Sequence, residues 1–199
     1  MQMKEIGQTY QENLLKVLSE EFEFKVPFKR KIKKETTIYK NKNYLELLES
    51  KVILDSNNET LYSRIKRQSF SQVILINERE EVLFQLRYRI GCKDYVLELP
   101  GGAIERDESP KKAAERELEE ELGIKCINLI EAGSFYMDPM RSKYKGYFFK
   151  SKYLNILQPF TSIVKGELEE SRFFWMGDRQ IKKYFPLMAS STIIGLYLT

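Results

Sequence analysis

The sequence predicts an α+β protein in which helices cover a mixed β-sheet. Several short apolar segments come first, followed by one strongly helical segment, then by further strands and terminal helical segments. The length of 199 residues and the hydrophobic content of 42% suit one domain with appendages. No run of about 18 apolar residues predicts a membrane-spanning helix.

The first 43 residues are expected to form a helix and a connecting segment. Residues 1–24 predict an amphipathic helix, because apolar side chains recur at every fourth position: Ile6, Tyr10, Leu14, Leu18 and Phe22. A basic stretch between Lys25 and Lys42 follows. We interpret it as a solvated connection, because it lacks the aromatic and glycine spacing of an RNA-binding module.

The strands are predicted from apolar segments that turn residues separate. "YLELLESKVIL" and "TLYSRIKRQ" flank the turn "DSNNE", and "SQVILI" and "VLFQLRYR" flank the turn "NEREE". "YVLEL" runs directly into two glycines. Further strands are predicted in "INLIEAGSFYM", "KGYFFKSKYL" and "RFFWMGD", and helical segments around "RQIKKYF" and "SSTIIGLYL".

The clearest helix lies within "SPKKAAERELEEELG". Ser109 suits the N-cap, Pro110 the first turn and Gly123 the C-terminal stop. The stripe predicted to pack against the sheet consists of Ala114, Leu118 and Leu122.

Glutamates are concentrated on the other side of this helix. Glu117, Glu120 and Glu121 stand at i, i+3 and i+4, where like charges destabilise a helix by a few tenths of a kcal/mol, roughly. One interpretation is a solvated acidic face with basic partners on the same helix. The other is a site for Mg²⁺ or Mn²⁺, which prefer oxygen ligands.

The preceding segment "LPGGAIERDE" favours the metal site. Its two glycines allow backbone carbonyls to approach an ion closely. Residues 105–121 hold eight acidic and four basic side chains, although the whole chain has a net charge of +4. A local acidic site in a basic protein suits an anionic substrate that divalent cations bridge to the protein.

Two features of the composition narrow the chemistry. The chain contains no histidine, which excludes Ser-His-Asp and Cys-His nucleophiles and zinc sites with histidine ligands. Its two cysteines form neither a disulfide framework nor a zinc motif. The N-terminus lacks the layout of a signal peptide, so we expect a cytoplasmic protein.

From Gly102 the chain runs through five residues to Glu108, and through seven more to "RELEEELGI". This resembles the Nudix box, G-x5-E-x7-R-E-U-x-E-E-x-G-U, at every defined position, where U is a bulky aliphatic residue. The resemblance implies a Nudix-type α/β/α sandwich over residues 44–199, with the box at 101–124. It also implies Mg²⁺ as cofactor, with Mn²⁺ as the alternative, and cleavage of a substituted nucleoside diphosphate.

The wider sequence resembles the ADP-ribose and ADP-sugar pyrophosphatases of this family. "QLRYR" and "LELPGGAIE" are similar to their Q-x-R strand and E-L-P-A-G-x-I-E segment, and Pro139 stands where they carry a proline. Gly101 replaces the alanine of that segment, a change we expect to be harmless. The resemblance implies conversion of ADP-ribose or a related nucleoside diphosphate sugar to AMP and a sugar phosphate. It also implies a homodimer formed through the strands of residues 44–68.

The resemblance assigns roles residue by residue. The expected metal ligands are Glu117, Glu120, Glu121 and the Gly101 carbonyl, with Arg116 orienting the carboxylates. The expected substrate-binding residues are Arg87, Arg89, Glu98 and Pro139. Glu108 either pairs with Arg116 or belongs to the outer metal shell.

The base that activates water is expected among glutamates. In this branch it often stands on a loop beyond the box, which here points to Glu169 or Glu170; the alternative is a base inside the box, such as Glu120. Two other functions keep the same motif: hydrolysis at an RNA 5′ end, and a sensor that binds a nucleotide without turnover. We expect neither a membrane nor a nucleic-acid partner.

Overall fold

The computed structural model describes residues 2–23, 25, 30–41, 45–54, 58–125, 128–154 and 171–198. The helices are α1 (Gln2–Glu21), α2 (Pro110–Leu122), α3 (Asp178–Tyr184) and α4 (Ser190–Tyr197), with a 3-10 helix at Phe185–Leu187. The strands are β1 (Lys31–Lys40), β2 (Leu45–Ile53), β3 (Glu59–Arg67), β4 (Phe70–Asn77), β5 (Val82–Arg89), β6 (Asp94–Glu98), β7 (Gly101–Ala103), β8 (Ile130–Tyr136), β9 (Lys145–Leu154) and β10 (Arg172–Met176).

The main sheet has seven strands and is mixed, as predicted. Its central order is β10-β5-β4-β9-β8; β6 pairs with β5, and β7 with β4. Strands β4 and β9 run parallel, whereas β5 is antiparallel to both β6 and β10. The short strand β7, which the sequence analysis did not predict, pairs Gly101 with Gln72 and places the start of the box against β4.

Helices pack on both faces of this sheet. Side chains on successive residues of a strand point to opposite faces, and β4 follows this rule. Val73 and Leu75 pack with α2 residues, whereas Ile74 packs with residues of the C-terminal helices. The two apolar cores confirm the predicted α/β/α sandwich.

Local capping explains the bounds of α2. The Ser109 side chain accepts a hydrogen bond from the Lys112 amide at 3.3 Å, and Gly123 ends the helix with a φ of 66°. A left-handed residue at this position is most easily supplied by glycine. The predicted stripe of Ala114, Leu118 and Leu122 is buried, which confirms the prediction for this helix.

The N-terminal region differs from expectation at one element. Residues 31–40 form strand β1, not the connecting segment that we predicted, within a three-stranded sheet of order β1-β2-β3. "KIKKETTIYK" is rich in residues that favour strands. All ten of its residues are exposed, so the strand lacks the alternation of buried and exposed positions that would have revealed it.

The chain divides into two compact units. One comprises residues 1–36 and 49–62, and the other comprises residues 37–48 and 63–199, including the entire main sheet. Within the first unit, Lys33 forms an ion pair with Glu59 at 2.6 Å. Among the described residues, no helix has both the length and the apolar character needed to cross a membrane.

Candidate active site

A cleft of about 1260 Å³ in the larger unit contains most of the predicted site. The predicted residues that line it are Arg87, Arg89, Glu98, Gly101, Arg116, Glu117 and Glu120. Pro139 is exposed and does not line this cleft. Glu169 and Glu170 lie outside the described residues.

Arg116 is the centre of one carboxylate cluster. Its Nε donates to Glu108 Oε1 at 3.0 Å, and its Nη2 donates to Glu108 Oε2 at 3.1 Å. Its Nη1 donates to Glu117 Oε1 at 2.8 Å and to Glu120 Oε2 at 2.9 Å. A single cationic nitrogen therefore already bridges the carboxylates of Glu117 and Glu120.

Glu108 accepts two of the hydrogen bonds that Arg116 donates. The hydrogen bonds from Arg116 hold the pKa of Glu108 below its ordinary value, and the reciprocal bond to Glu108 is the main cause that raises the pKa of Arg116. Glu108 also accepts a hydrogen bond from the Glu105 amide at 2.9 Å. This geometry favours the structural role for Glu108 over a place in the metal shell.

Glu121 has partners of its own, distinct from the Arg116 contacts of Glu117 and Glu120. Its side chain is buried, and its Oε1 forms an ion pair with Arg87 Nη2 at 2.9 Å. Its Oε2 accepts a hydrogen bond from the Gly101 amide at 3.1 Å. Glu121 lies beside the buried residues Leu118 and Leu122 of α2, at the edge of the packed side, where Arg87 of β5 contacts it.

The two glycines of the box are required for different reasons. A Cβ on Gly102 would lie 2.4 Å from Glu117 Oε1, so its absence leaves room for that carboxylate. Gly101 adopts a φ of 137°, and a Cβ there would lie 2.1 Å from the Ser71 carbonyl oxygen. Glycine therefore suits this backbone at residue 101, where an alanine would be strained.

Among the described residues, no three acidic side chains stand in a ready-made metal-binding arrangement. Arginines hold each of the three candidate carboxylates instead, Arg116 at Glu117 and Glu120, and Arg87 at Glu121. Cationic nitrogens thus already neutralise these carboxylates. The carboxylate oxygens are hard donors of the kind that Mg²⁺ and Mn²⁺ prefer, so their chemistry fits these ions.

Arg87 and Arg89 share one face of β5 but have different partners. Arg87 is buried, and its Nε donates to Ser171 Oγ at 2.6 Å. Arg89 is half-buried, and its Nε donates to Glu98 Oε2 at 3.0 Å. Glu98 therefore holds Arg89 at the cleft through a side-chain contact, although the β5–β6 register pairs Arg89 with Asp94 and Glu98 with Gln85.

The aromatic residues of the cleft were missed by the sequence analysis. Three aromatic residues of β5 and β8, Tyr88, Phe135 and Tyr136, do not line it. Phe70 and Tyr144 do, with ring centroids 5.3 Å apart, and the guanidinium carbon of Arg67 lies 4.0 Å from the centroid of the Tyr144 ring. Burial raises the pKa of Tyr144. Neither ring belongs to a motif that would have identified it.

The basic residues at the cleft wall are largely paired. Lys40 and Lys66 both approach Glu46, at 2.9 Å and 3.2 Å respectively. This pairing neutralises part of the positive charge with which the cleft wall could bind the phosphates of a nucleic acid.

Several known proteins resemble this chain. An ADP-ribose pyrophosphatase from Bacillus subtilis is 25% identical over 129 residues, which span 65% of this chain and 67% of that protein. A methanol dehydrogenase activator from Bacillus methanolicus is 34% identical over 67 residues, covering 34% of this chain and 36% of that protein. The crystal structure of an ADP compounds hydrolase matches with a TM-score of 0.71 and 18% identity, covering 88% of this chain and 94% of that one.

The structural likeness supports the same fold, with its mixed sheet between layers of helices. The NUDIX domain matches residues 66–189, more than half of the chain, including the box and the cleft residues of β5 and β6. The chain therefore belongs to the Nudix family of hydrolases.

Proposed function

We propose that this Nudix hydrolase cleaves the diphosphate of ADP-ribose, or of a related nucleoside diphosphate sugar, to AMP and a sugar phosphate. The observation that carries the proposal is the composition of the cleft, where the carboxylates of Glu117 and Glu120 face the same space as Arg87 and Arg89. Such a space suits a diphosphate held by divalent cations on one side and by guanidinium groups on the other.

Glu117, Glu120, Glu121 and the Gly101 carbonyl are the residues that would hold Mg²⁺ or Mn²⁺. When bound, such ions lower the pKa of a water molecule and neutralise charge on the phosphate oxygens. Arg116 keeps the carboxylates of Glu117 and Glu120 close together, which reduces the rearrangement needed to bind an ion.

Arg89 is the residue best placed to bind the diphosphate directly. Its guanidinium lines the cleft, and Glu98 fixes its orientation from one side. Forked guanidinium groups bind phosphate oxygens through two parallel hydrogen bonds. A glutamate then accepts the proton of the attacking water, and the bond between phosphorus and the leaving phosphate oxygen breaks. We assign this base role to Glu169 or Glu170, with Glu120 as the alternative within the box.

Phe70 and Tyr144 supply the apolar part of the cleft and are proposed to contact the nucleobase. Base stacking on an aromatic ring contributes about 1–3 kcal/mol. A homodimer that acts in the cytoplasm is part of the proposal, with the strands of residues 44–68 as the expected interface. Light scattering on the purified protein will measure its mass in solution.

The first experiment measures hydrolysis of a panel: ADP-ribose, ADP-glucose, GDP-mannose, diadenosine polyphosphates, NADH and 5′-triphosphate RNA. Release of AMP is followed for the adenosine compounds, of GMP for GDP-mannose, and of phosphate or pyrophosphate for the RNA. Each is assayed with Mg²⁺, with Mn²⁺ and with chelator. The proposal expects metal-dependent AMP release from ADP-ribose that Glu120→Gln and Glu121→Gln abolish. Glu119→Gln is the matched control, because Glu119 is an exposed glutamate of α2 that pairs with Lys125. Binding of ADP-ribose without turnover would favour a nucleotide sensor. Turnover of RNA alone would favour hydrolysis at an RNA 5′ end.

A further inference from the structure

The ion pair between Arg87 and Glu121 is the most enclosed charge pair of the site. The exposed fractions of the two side chains are 6% and 4%. Arg87 Nη2 lies 2.9 Å from Glu121 Oε1, and the Gly101 amide donates to the other oxygen. Arg87 already neutralises the charge of this buried carboxylate. While Arg87 stays in place, binding a further cation would therefore bring little electrostatic gain.

We infer that Arg87 is an internal counter-cation that must leave Glu121 before this carboxylate can bind a divalent ion, and that its guanidinium then turns to the phosphates of the substrate. The inference rests on the proposed function, since it takes Glu121 as a metal ligand. Arg87 then has two successive partners, first Glu121 and then the phosphates of the substrate. The sequence analysis expected it to bind the substrate only.

The contacts of Arg87 suit such a movement. The guanidinium is planar and turns as one unit, so the bond that Ser171 Oγ accepts from Nε at 2.6 Å breaks together with the ion pair and holds Arg87 in its resting position until then. Arg87 also lines the cleft beside Glu117 and Glu120, so its guanidinium has space to enter. Arg116 serves a different purpose, because it is shared among several carboxylates and is more exposed, at 25%.

The exchange couples metal binding to anion binding. In the structure, Glu121 cancels the charge of Arg87. Once the carboxylate binds a divalent ion, the positive charge of Arg87 is released to the cleft and strengthens binding of a phosphate. By linkage, a bound phosphate that holds Arg87 also raises the affinity of the site for metal.

The test is calorimetric titration of the full-length protein with Mn²⁺ alone, without nucleotide. We compare the unmodified protein with Arg87→Met and with the matched control Arg89→Met, which removes the same charge from the same strand and cleft. The inference expects Arg87→Met to bind Mn²⁺ about tenfold more tightly or better, and Arg89→Met to change the affinity by less than about threefold. Equal gains in both variants would overturn it, because a general field effect would then explain them. Unchanged or weaker binding in Arg87→Met would also overturn it, because Arg87 would then organise the site instead of competing for it.

If Arg87→Met does not fold, Ser171→Ala provides a second test of the inference. This variant keeps the ion pair but removes the bond that holds Arg87 Nε, so it is expected to bind Mn²⁺ about threefold more tightly. Unchanged affinity in Ser171→Ala would contradict the inference in that case. Failure of both the unmodified protein and its variants to bind Mn²⁺ would contradict the metal site of the proposed function itself. Glu121→Gln, which removes the charge that holds the ion, is the negative control.

Discussion

Gly102 leaves the space that the Glu117 carboxylate occupies, since a Cβ at residue 102 would lie 2.4 Å from Glu117 Oε1. The obstructing atoms belong to the far end of a flexible side chain. An alanine at residue 102 can therefore be accommodated by rotating Glu117, with no movement of the backbone. A substitution at residue 102 can therefore move one proposed metal ligand, Glu117, without destabilising the fold.

Gly102→Ala is accordingly expected to keep the thermal midpoint within a few degrees, roughly, and to lower hydrolysis by about tenfold or more. Thermal unfolding and turnover are measured on the same preparation. Gly91→Ala is the matched control, because a Cβ at Gly91 would meet nothing within 4 Å. If Gly102→Ala retained full activity, the position of the Glu117 carboxylate would not matter for the reaction.

Gly101→Ala should behave in the opposite way. The residue has a φ of 137°, and the added Cβ would lie 2.1 Å from a backbone oxygen of β4, which cannot rotate away. We expect the free energy of unfolding to fall by about 2 kcal/mol or more. Urea denaturation measures this loss. An unchanged midpoint would show that the β4–β7 pairing adjusts easily and would contradict this prediction.

The elements that local sequence determines were predicted well. The caps of α2 and its apolar stripe lie within one 15-residue segment, so periodicity and capping residues were sufficient. The contact between Glu108 and Arg116 also lies within that motif. Strand β1 was missed because none of its residues is buried. Exposure removes the alternating pattern by which strands are recognised.

Contacts between distant segments could not be predicted in the same way. Arg87 and Glu121 meet because residues of β5 and α2 belong to the same packed core, and no spacing in the sequence indicates that ion pair. Phe70 is the first residue of β4, and Tyr144 directly precedes β9. Their ring contact therefore also depends on packing between distant segments. The motif identified which residue types matter, whereas the packing of the sheet determined their partners.

Glu108 should make stability depend on pH in the acid range. Hydrogen bonds from Arg116 hold its pKa below the ordinary 4.5, so the folded protein binds fewer protons than the unfolded chain at this group. Its contribution is therefore present above pH 4.5, roughly, and is lost as the pH falls through the lower folded pKa. In Glu108→Gln, we expect a loss of stability at pH 7 that becomes smaller towards pH 3. Urea denaturation at several pH values, compared with Glu119→Gln, will measure it; a difference that stays constant with pH would contradict the assignment.

The identity of the base gives the last prediction. "VKGELEESRFFW" contains Glu167, Glu169 and Glu170 shortly before Ser171, whose hydroxyl accepts from Arg87 at 2.6 Å. A base acts on the attacking water and is not needed to hold the metal, so its loss should affect turnover alone. We expect Glu169→Gln or Glu170→Gln to lower turnover by about a hundredfold or more while Mn²⁺ affinity stays unchanged. Glu167→Gln tests the third glutamate of the segment. If all three variants keep near-normal turnover, the base lies inside the box, and Glu120, the exposed member of the Arg116 cluster, becomes the residue to test.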